Sequence, residues 1–423
     1  MNYIFLILFL HINILLSETI DFIQVEGNKK TKSYIILREL KQQVNDTWSA
    51  ETMVTDKNRV YNLGLFSSVE IEVKNTNEQN IYIVRVSEKW YLWPFPIVKY
   101  DNRTDQISSY GGGLIHQNFR GRDEDISAGA TAGQVSEYFL WYSNPWISGD
   151  HNSLDITIYN QSSDHHVYSI VEDDQGMYAE GGFYKGYNHK FNFWFNYNNK
   201  VIDFFNEEES ATATLNPDYL IQTKYSYLRI GSQYRYDTRD IYIDPNSGTF
   251  LNVEFNHSFG LGDTDDMLDI ELDFNIYKSF FRSLGSVFKY NLYSKIQYSK
   301  SLLPIFKKHY IGGQDYVRGY SAIPSNNTFP NAIEIIEVDN FIINSFEIQS
   351  TLINRKEYLD QVEIGVDFVL FADHGIGYNL NESINLDNSL FGYGLGIKIF
   401  LMGAVIKFDY ALNMHGTSRW HLF

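Results

Sequence analysis

The sequence predicts a transmembrane β-barrel of about sixteen antiparallel strands, preceded by one small α/β domain. Three observations carry this. From Trp90 onward, apolar and polar residues alternate with period two, strand after strand, to the end of the chain. Aromatic residues make up 16%, with 32 Tyr and 30 Phe, yet mean hydropathy is only −0.29. After the N-terminal run, no segment holds the roughly 18 consecutive apolar residues of a membrane-spanning helix. A helical membrane protein is thereby excluded. A barrel is not, because half of its strand residues face water and dilute the hydropathy.

Residues 1–17 are almost uninterruptedly apolar, from Ile4 to Leu10 and from Ile12 to Leu16. That length suits the core of a signal peptide, with small Ser17 at the cleavage position. The run carries no Lys or Arg, so an uncleaved anchor is the alternative. There is no Cys, which removes disulfides, lipoprotein attachment and thiolate metal sites. The net charge of −18 argues against nucleic acid, whose phosphates need a basic surface.

Residues 18–89 read as a separate domain. Ile20 to Val25 alternates as a strand and ends at the turn signal Gly27-Asn28. Tyr34, Ile35, Leu37 and Leu40 recur at helical spacing. A second helix starts near Ser49, an N-cap candidate, runs through Met53, Val54, Val60, Tyr61 and Leu63, and stops at Gly64. Strands 69–73 and 81–86 complete a β-α-α-β-β order.

Residues 90–423 read as the barrel. Leu268, Ile270, Leu272, Phe274 and Ile276 alternate with Asp269, Glu271, Asp273 and Asn275, an apolar face for lipid and an acidic one for water. The expected spans are 91–100, 109–119, 124–133, 136–144, 152–161, 177–187, 190–199, 224–236, 249–259, 267–277, 284–297, 341–353, 361–373, 391–401, 403–412 and 418–423. Sixteen is even, as single-chain bacterial barrels require, and it brings both barrel ends to the periplasm. The long connections 162–176, 200–223, 298–340 and 374–390 all follow odd-numbered strands, which places them on the cell surface.

The segment Gly312-Gly313-Gln314-Asp315-Tyr316-Val317-Arg318-Gly319-Tyr320 lies in the longest of these loops, too long for a simple hairpin connection. An Arg inside a lumen needs anionic partners, and Glu347, Glu363, Asp367 and Asp373 share the lumen parity on the following strands. Asp373 or Glu363 is the expected closest partner. Tyr61 to Val69, with Gly64 ending a helix and Phe66 filling the core, resembles the helix-to-strand corner of a POTRA domain. Together with the GGxxxVRGY loop, Phe371-Ala372-Asp373-His374-Gly375, and Asp237-Thr238-Arg239-Asp240 followed by Pro245 and Gly248, the sequence resembles the BamA-type outer-membrane assembly and translocation superfamily, a POTRA module plus a surface-antigen barrel.

The resemblance implies a loop folded into the barrel with Arg318 paired on the lumen wall. It implies a structural role for the Asp237–Gly248 periplasmic turn. Gly392-Tyr393-Gly394-Leu395-Gly396 through Ala411 resembles the penultimate hairpin of the same family, and its glycines allow close wall packing or bending. The resemblance also implies a targeting signal in the last strand carried by Trp420 and Phe423. The expected site is thus Gly312, Gly313, Val317, Arg318, Gly319 and Tyr320 with their partners, and the seam between the first and last strands. Arg419 and His421 fit poorly if they face lipid, and the last strand is short, so that seam is expected to be the weakest pairing.

The expected function is to insert or translocate client polypeptides at the outer membrane, with clients captured on a POTRA strand edge and accessory periplasmic proteins as further partners. With room for one POTRA module only, docking of several accessory lipoproteins is less favoured. The alternatives are a passive channel and a plugged surface antigen with a docking module. No catalytic, metal or cofactor motif stands out: His165-His166 lacks a third ligand at zinc spacing, and there is no nucleophile elbow or phosphate-binding loop.

Overall fold

The computed structural model describes residues 19–101, 106–133, 136–148, 151–165, 170–204, 223–281, 284–321, 337–358, 362–386, 389–401 and 404–422. The expected signal peptide, 1–17, and Phe423 lie outside the described residues.

The N-terminal domain contains β1 (Phe22–Glu26), α1 (Ser33–Leu37), α2 (Ala50–Asn62), β2 (Phe66–Thr76) and β3 (Gln79–Glu88). The sheet order is β1-β3-β2, with β1 parallel and β2 antiparallel to the central β3. Ser49 caps α2 by accepting the N–H of Thr52 at 3.1 Å. Gly64 ends it at φ +74°, a left-handed conformation that glycine adopts without a Cβ penalty. Phe66 then drops into the core beside Ile35, Ile36, Val60 and Tyr82.

The expected face of the first helix is shifted. Ile35, Ile36 and Leu40 are buried, whereas Tyr34 and Leu37 are exposed, because α1 is a little over one turn long and no 3.6-residue stripe develops. A buried carboxylate pins its end: Asp56 accepts the N–H groups of Lys41 and Gln42 and the Tyr82 hydroxyl at 2.8, 3.2 and 3.0 Å. Burial, then Asp56, raises the Tyr82 phenol above its usual range, so it stays a donor.

The rest of the chain forms one sheet of sixteen strands joined in sequence order, all antiparallel. They are β4 (Leu92–Asp101), β5 (Gln106–Phe119), β6 (Glu124–Gly133), β7 (Glu137–Asn144), β8 (Asn152–Asp164), β9 (Ile170–Lys185), β10 (His189–Phe204), β11 (Lys224–Asp237), β12 (Gly248–Gly260), β13 (Met267–Phe280) and β14 (Ser286–Ser299). A two-residue ribbon, β15 (His309–Tyr310) with β16 (Glu337–Val338), belongs to the loop. Then come β17 (Asn340–Tyr358), β18 (Val362–Tyr378), β19 (Ser389–Leu401), β20 (Ala404–Asn413) and β21 (Ser418–Leu422). Each matches one expected strand.

Several strands run further than their apolar alternation. β8 reaches 164, β9 starts at 170 and β18 reaches 378, so the expected loop 162–176 is largely ladder and the expected loop 374–390 begins only after Tyr378. Beyond the membrane both faces of a hairpin meet water, and polar residues pair there without any apolar pattern to announce it. On β13, Ile270 is exposed outward, while Asp269 is buried on the inner face and bonds Arg229 and Asn256 at 2.9 and 2.7 Å. Among the described residues no helix is long and apolar enough to cross a membrane.

Two facts of this sheet position the site. Its terminal strands, β4 and β21, are not paired to each other among the described residues. And the N-terminal domain sits against one end of the barrel, touching the turns that follow β5, β9 and β11 and the start of β18.

Candidate functional site: the lumen loop, the seam and the docked domain

After β14 the chain makes a turn at Ile305–Lys307, enters the ribbon, and forms a tight knot from Ile311 to Tyr320. The Gly313 N–H donates to Val317 O at 3.1 Å and the Val317 N–H to Ile311 O at 3.2 Å. Gly313 and Gly319 have φ of +101° and +94°, which explains both glycines. Val317 and Tyr320 are fully buried with Ile311, Phe341, Ile343 and Leu390. The Tyr320 hydroxyl reaches Phe391 O at 3.2 Å.

The knot lies flat on a wall paved with glycine. A Cβ on Gly375 would come within 2.6 Å of Val317, and one on Gly392 would fall inside the Arg318 carbonyl. A Cβ on Gly312 would meet Ser321 O at 2.6 Å.

This packing aims Arg318, 4% exposed, into a cluster of buried carboxylates. Its Nε and Nη2 donate to the two Asp373 oxygens at 2.7 and 2.8 Å, a bidentate fork. The backbone N–H of Arg318 adds a third bond to Asp373 at 3.2 Å. Nη1 donates to Glu347 at 2.9 Å and Asp409 at 2.8 Å, and Nη2 to Ser345 Oγ at 3.2 Å. The guanidinium stacks 3.5 Å from the Phe371 ring centroid. Lys289 and Lys407 approach Glu347 at 3.5 and 3.4 Å. Three cations therefore face three carboxylates, which makes a buried cluster of this size tolerable.

Of the four expected partners, Asp373 and Glu347 meet Arg318. Glu363 and Asp367 do not. Asp367 lies beside Lys398 at 3.7 Å and Glu363 accepts the Tyr61 hydroxyl at 2.8 Å. The parity was right and the height was not: six residues of strand separate Asp367 from Asp373, about 20 Å at ~3.4 Å per residue. Asp409, Ser345 and Phe371 were missed as partners. The alternation of Lys407 and Asp409 in β20 was the available signal.

The loop also reaches the last strand. The Gly319 N–H donates to His421 Nε2 at 3.0 Å, and Asn413 Nδ2 donates to Gly319 O at 3.1 Å. His421 and Arg419 thus lie on the inner side of β21, while Trp420 and Leu422 are exposed outward, 75% and 59%. The expectation that Arg419 and His421 fit poorly rested on placing them toward lipid; the register of β20 with β21, which sets Asp409 opposite His421, turns them inward.

At the other end of the barrel, the Asp237–Gly248 turn closes on itself. Arg239 forks onto Asp237 at 2.9 and 2.7 Å, and Asp240 Oδ1 accepts the N–H groups of Ile241, Asn246 and Ser247 at 2.9, 2.9 and 3.2 Å. Pro245 lies within this turn and Gly248, at φ +114°, closes it. Asp244 continues inward to Arg355 and Lys398.

The same turn docks the N-terminal domain: Asn62, the last residue of α2, donates to Asp240 O at 3.1 Å and accepts from the Tyr242 N–H at 3.0 Å. Arg38 pairs with Asp123 at 2.8 Å, and Arg59 stacks 3.2 Å from the Tyr187 centroid. Burial, then the Glu363 carboxylate, holds the Tyr61 phenol proton above its usual range, so Tyr61 donates. The contacts run from the second barrel strand to the thirteenth. They had no signal in the sequence, because each pairs residues on different domains.

Residues 118–422 match the Omp85 superfamily domain, and residues 18–89 match the POTRA domain, described as a surface antigen variable number repeat. The chain belongs to the Omp85 superfamily. Among similar curated proteins is the outer membrane protein assembly factor BamA of Nitratidesulfovibrio vulgaris, 21% identical over 378 residues, which are 88% of this chain and 45% of that protein. BamA of Neorickettsia risticii is 35% identical over 68 residues, 16% of this chain and 9% of that one. The chain thus matches less than half the length of either relative.

Among solved structures, BamA from Haemophilus ducreyi lacking POTRA domains 1–3 aligns with a TM-score of 0.54 at 15% identity, covering 96% of this chain and 85% of that one. CdiB from Escherichia coli aligns at 0.54 and 14%, covering 96% and 76%. At these identities the likeness concerns the fold. As a member of the Omp85 superfamily, the chain is an outer-membrane β-barrel protein with its POTRA domain in the periplasm. The turns that meet the POTRA domain are therefore periplasmic, and the lumen loop enters from the cell surface.

Proposed function

We propose that this Omp85 protein inserts polypeptides into, or passes them across, the outer membrane, using the seam between β4 and β21 as the exit. The unjoined seam carries this reading. A barrel that only conducts solutes gains by closing every ladder, because an open edge in lipid leaves backbone groups without partners at several kcal/mol each. A barrel that hands a strand to the bilayer needs such an edge.

The POTRA sheet offers two more edges, β1 and β2, either of which can take an extended client by main-chain hydrogen bonding. In this reading unfolded outer-membrane or secreted polypeptides are the clients, outer-membrane lipid is the receiving phase, and the client's own burial supplies the driving force. Periplasmic accessory proteins would dock on the POTRA surface.

The rival reading, a plugged surface antigen, draws on the loop knot packed inside the wall and the POTRA domain against the periplasmic mouth. A passive channel fits this filled interior less well. One experiment separates them. Cysteines at Leu92 and Leu422, both outward-facing, are joined by a short bifunctional thiol reagent in a chain with no other Cys. Insertion or export should stop while the barrel stays folded; full activity of the joined protein would overturn the reading. Depletion followed by profiling of outer-membrane proteins identifies the clients.

A further inference from the structure

The free edge of β4 is blunted at three successive edge residues. In an antiparallel ladder, alternate residues bond the neighbouring strand and the others point both N–H and C=O away from it. The Gln117 N–H donates to Tyr91 O at 2.8 Å, so the residues sharing Tyr91's parity, Trp93, Phe95 and Ile97, serve β5. Leu92, Pro94, Pro96 and Val98 therefore aim at the seam. Pro94 and Pro96 sit opposite Leu114 and Gly112 in an unbroken ladder, which is possible only because their missing N–H groups were not needed there. The indole N–H of Trp90 donates to Leu92 O and caps the next acceptor along.

We propose that Trp90, Pro94 and Pro96 are the positioning residues that hold the seam unzipped. A strand laid along this edge would leave one carbonyl unbonded at each proline, in lipid where no water can take its place. It would also have to displace the Trp90 indole. At Leu92, Pro94 and Pro96 half of the six seam-side groups are thus lost to the ladder, so the last strand gains less by pairing here and the exit opens by breaking fewer bonds. Edge strands of soluble sheets are protected from association in the same way, by prolines and capped groups. The inference deepens the proposed insertion function, on which it rests for its purpose but not for its measurement.

The test is amide exchange of the folded protein in lipid nanodiscs. The Asn413 N–H donates to Thr417 O, so Arg419 and His421 serve β20 and the amides of Trp420 and Leu422 face the seam; in the natural protein these two should exchange fast. In the double variant Pro94→Val, Pro96→Val they should slow by about tenfold or more as a ladder forms, with Trp90→Phe adding to the effect. Insertion or export should fall in parallel. A second pair checks the direction of the edge without requiring closure. Val98→Pro, on the seam side, should leave a folded, heat-resistant barrel. Ile97→Pro, on the β5 side, should not. Fast exchange of the Trp420 and Leu422 amides unchanged in the double variant, or protection of these two already present in the natural protein, would overturn the proposal. Slowed exchange with full activity would uphold the role of the prolines and sink the insertion reading instead.

Discussion

The backbone N–H of Gly319 donates to Nε2 of His421 at 3.0 Å, and this bond ties the lumen loop to the last strand of the barrel. The neighbouring residue, Arg318, is fixed to β17, β18 and β20 through Glu347, Asp373 and Asp409. Loop and seam are thus one mechanical unit. Strand β21, which among the described residues has no strand partner on its outer edge, is held from within.

Removing the acceptor should loosen that unit. His421→Phe leaves the Gly319 N–H without a partner, at a cost of about 1–3 kcal/mol. Spin labels at Gln314 and Trp420 should then report a broader distance distribution, while His421→Gln, whose amide oxygen can accept, should restore the narrow one. Identical distributions in all three proteins would show that the bond transmits nothing.

Arg318→Ala leaves three carboxylates buried against two lysines. Breaking a buried ion cluster in this way costs about 3–5 kcal/mol. The temperature at which the folded band disappears on unboiled gels should fall clearly. Arg318→Lys keeps the charge and loses the fork, so it should fall between the two. A thermal transition unchanged in both variants would mean that the cluster does not hold the loop.

Gly392→Ala should reproduce the Arg318→Ala phenotype although it touches no charge. The added Cβ occupies the site of the Arg318 carbonyl oxygen, and overpacking of this kind costs about 1–3 kcal/mol. Gly181, with nothing within 4 Å of its would-be Cβ, supplies the control: Gly181→Ala should be silent. Equal heat resistance of the two variants would refute the glycine-paved wall.

The POTRA domain should undock without unfolding when α2 loses its grip. Tyr61→Phe with Asn62→Ala removes three hydrogen bonds to the barrel turns, each about 0.5–1.5 kcal/mol. Labels at the exposed Val54 and Ile147 should show a second, longer distance, and barrel melting should not change. A single unchanged distance would place the docking energy elsewhere.

Alternation along β13 and β18 was enough to number the strands and to sort lipid face from lumen face, because side-chain direction in a strand has period two whatever lies around it. The POTRA corner was equally legible: Ser49, Gly64 and Phe66 act through local geometry, a cap, a left-handed stop and a plug. Arg318 was legible too, as an Arg between Val and Gly-Tyr after a glycine pair in a long loop, with acidic residues on the lumen parity. The first helix was misread, since one turn of α1 is too short for its spacing to reveal which side is buried.

Height along the barrel was decided only by tertiary structure. Parity gave Asp367 and Asp373 the same face, but the depth to which loop 300–321 descends depends on Val317, Tyr320 and the glycines of β18 and β19 fitting one another. That fit chose Asp373 and brought in Asp409 from a distant strand. The docking of Asn62 onto the Asp240 turn and the inward register of His421 are of the same kind. Sequence patterns report periodic and local forces; which two distant surfaces meet is set by shape complementarity between them, and that exists only once the chain has folded.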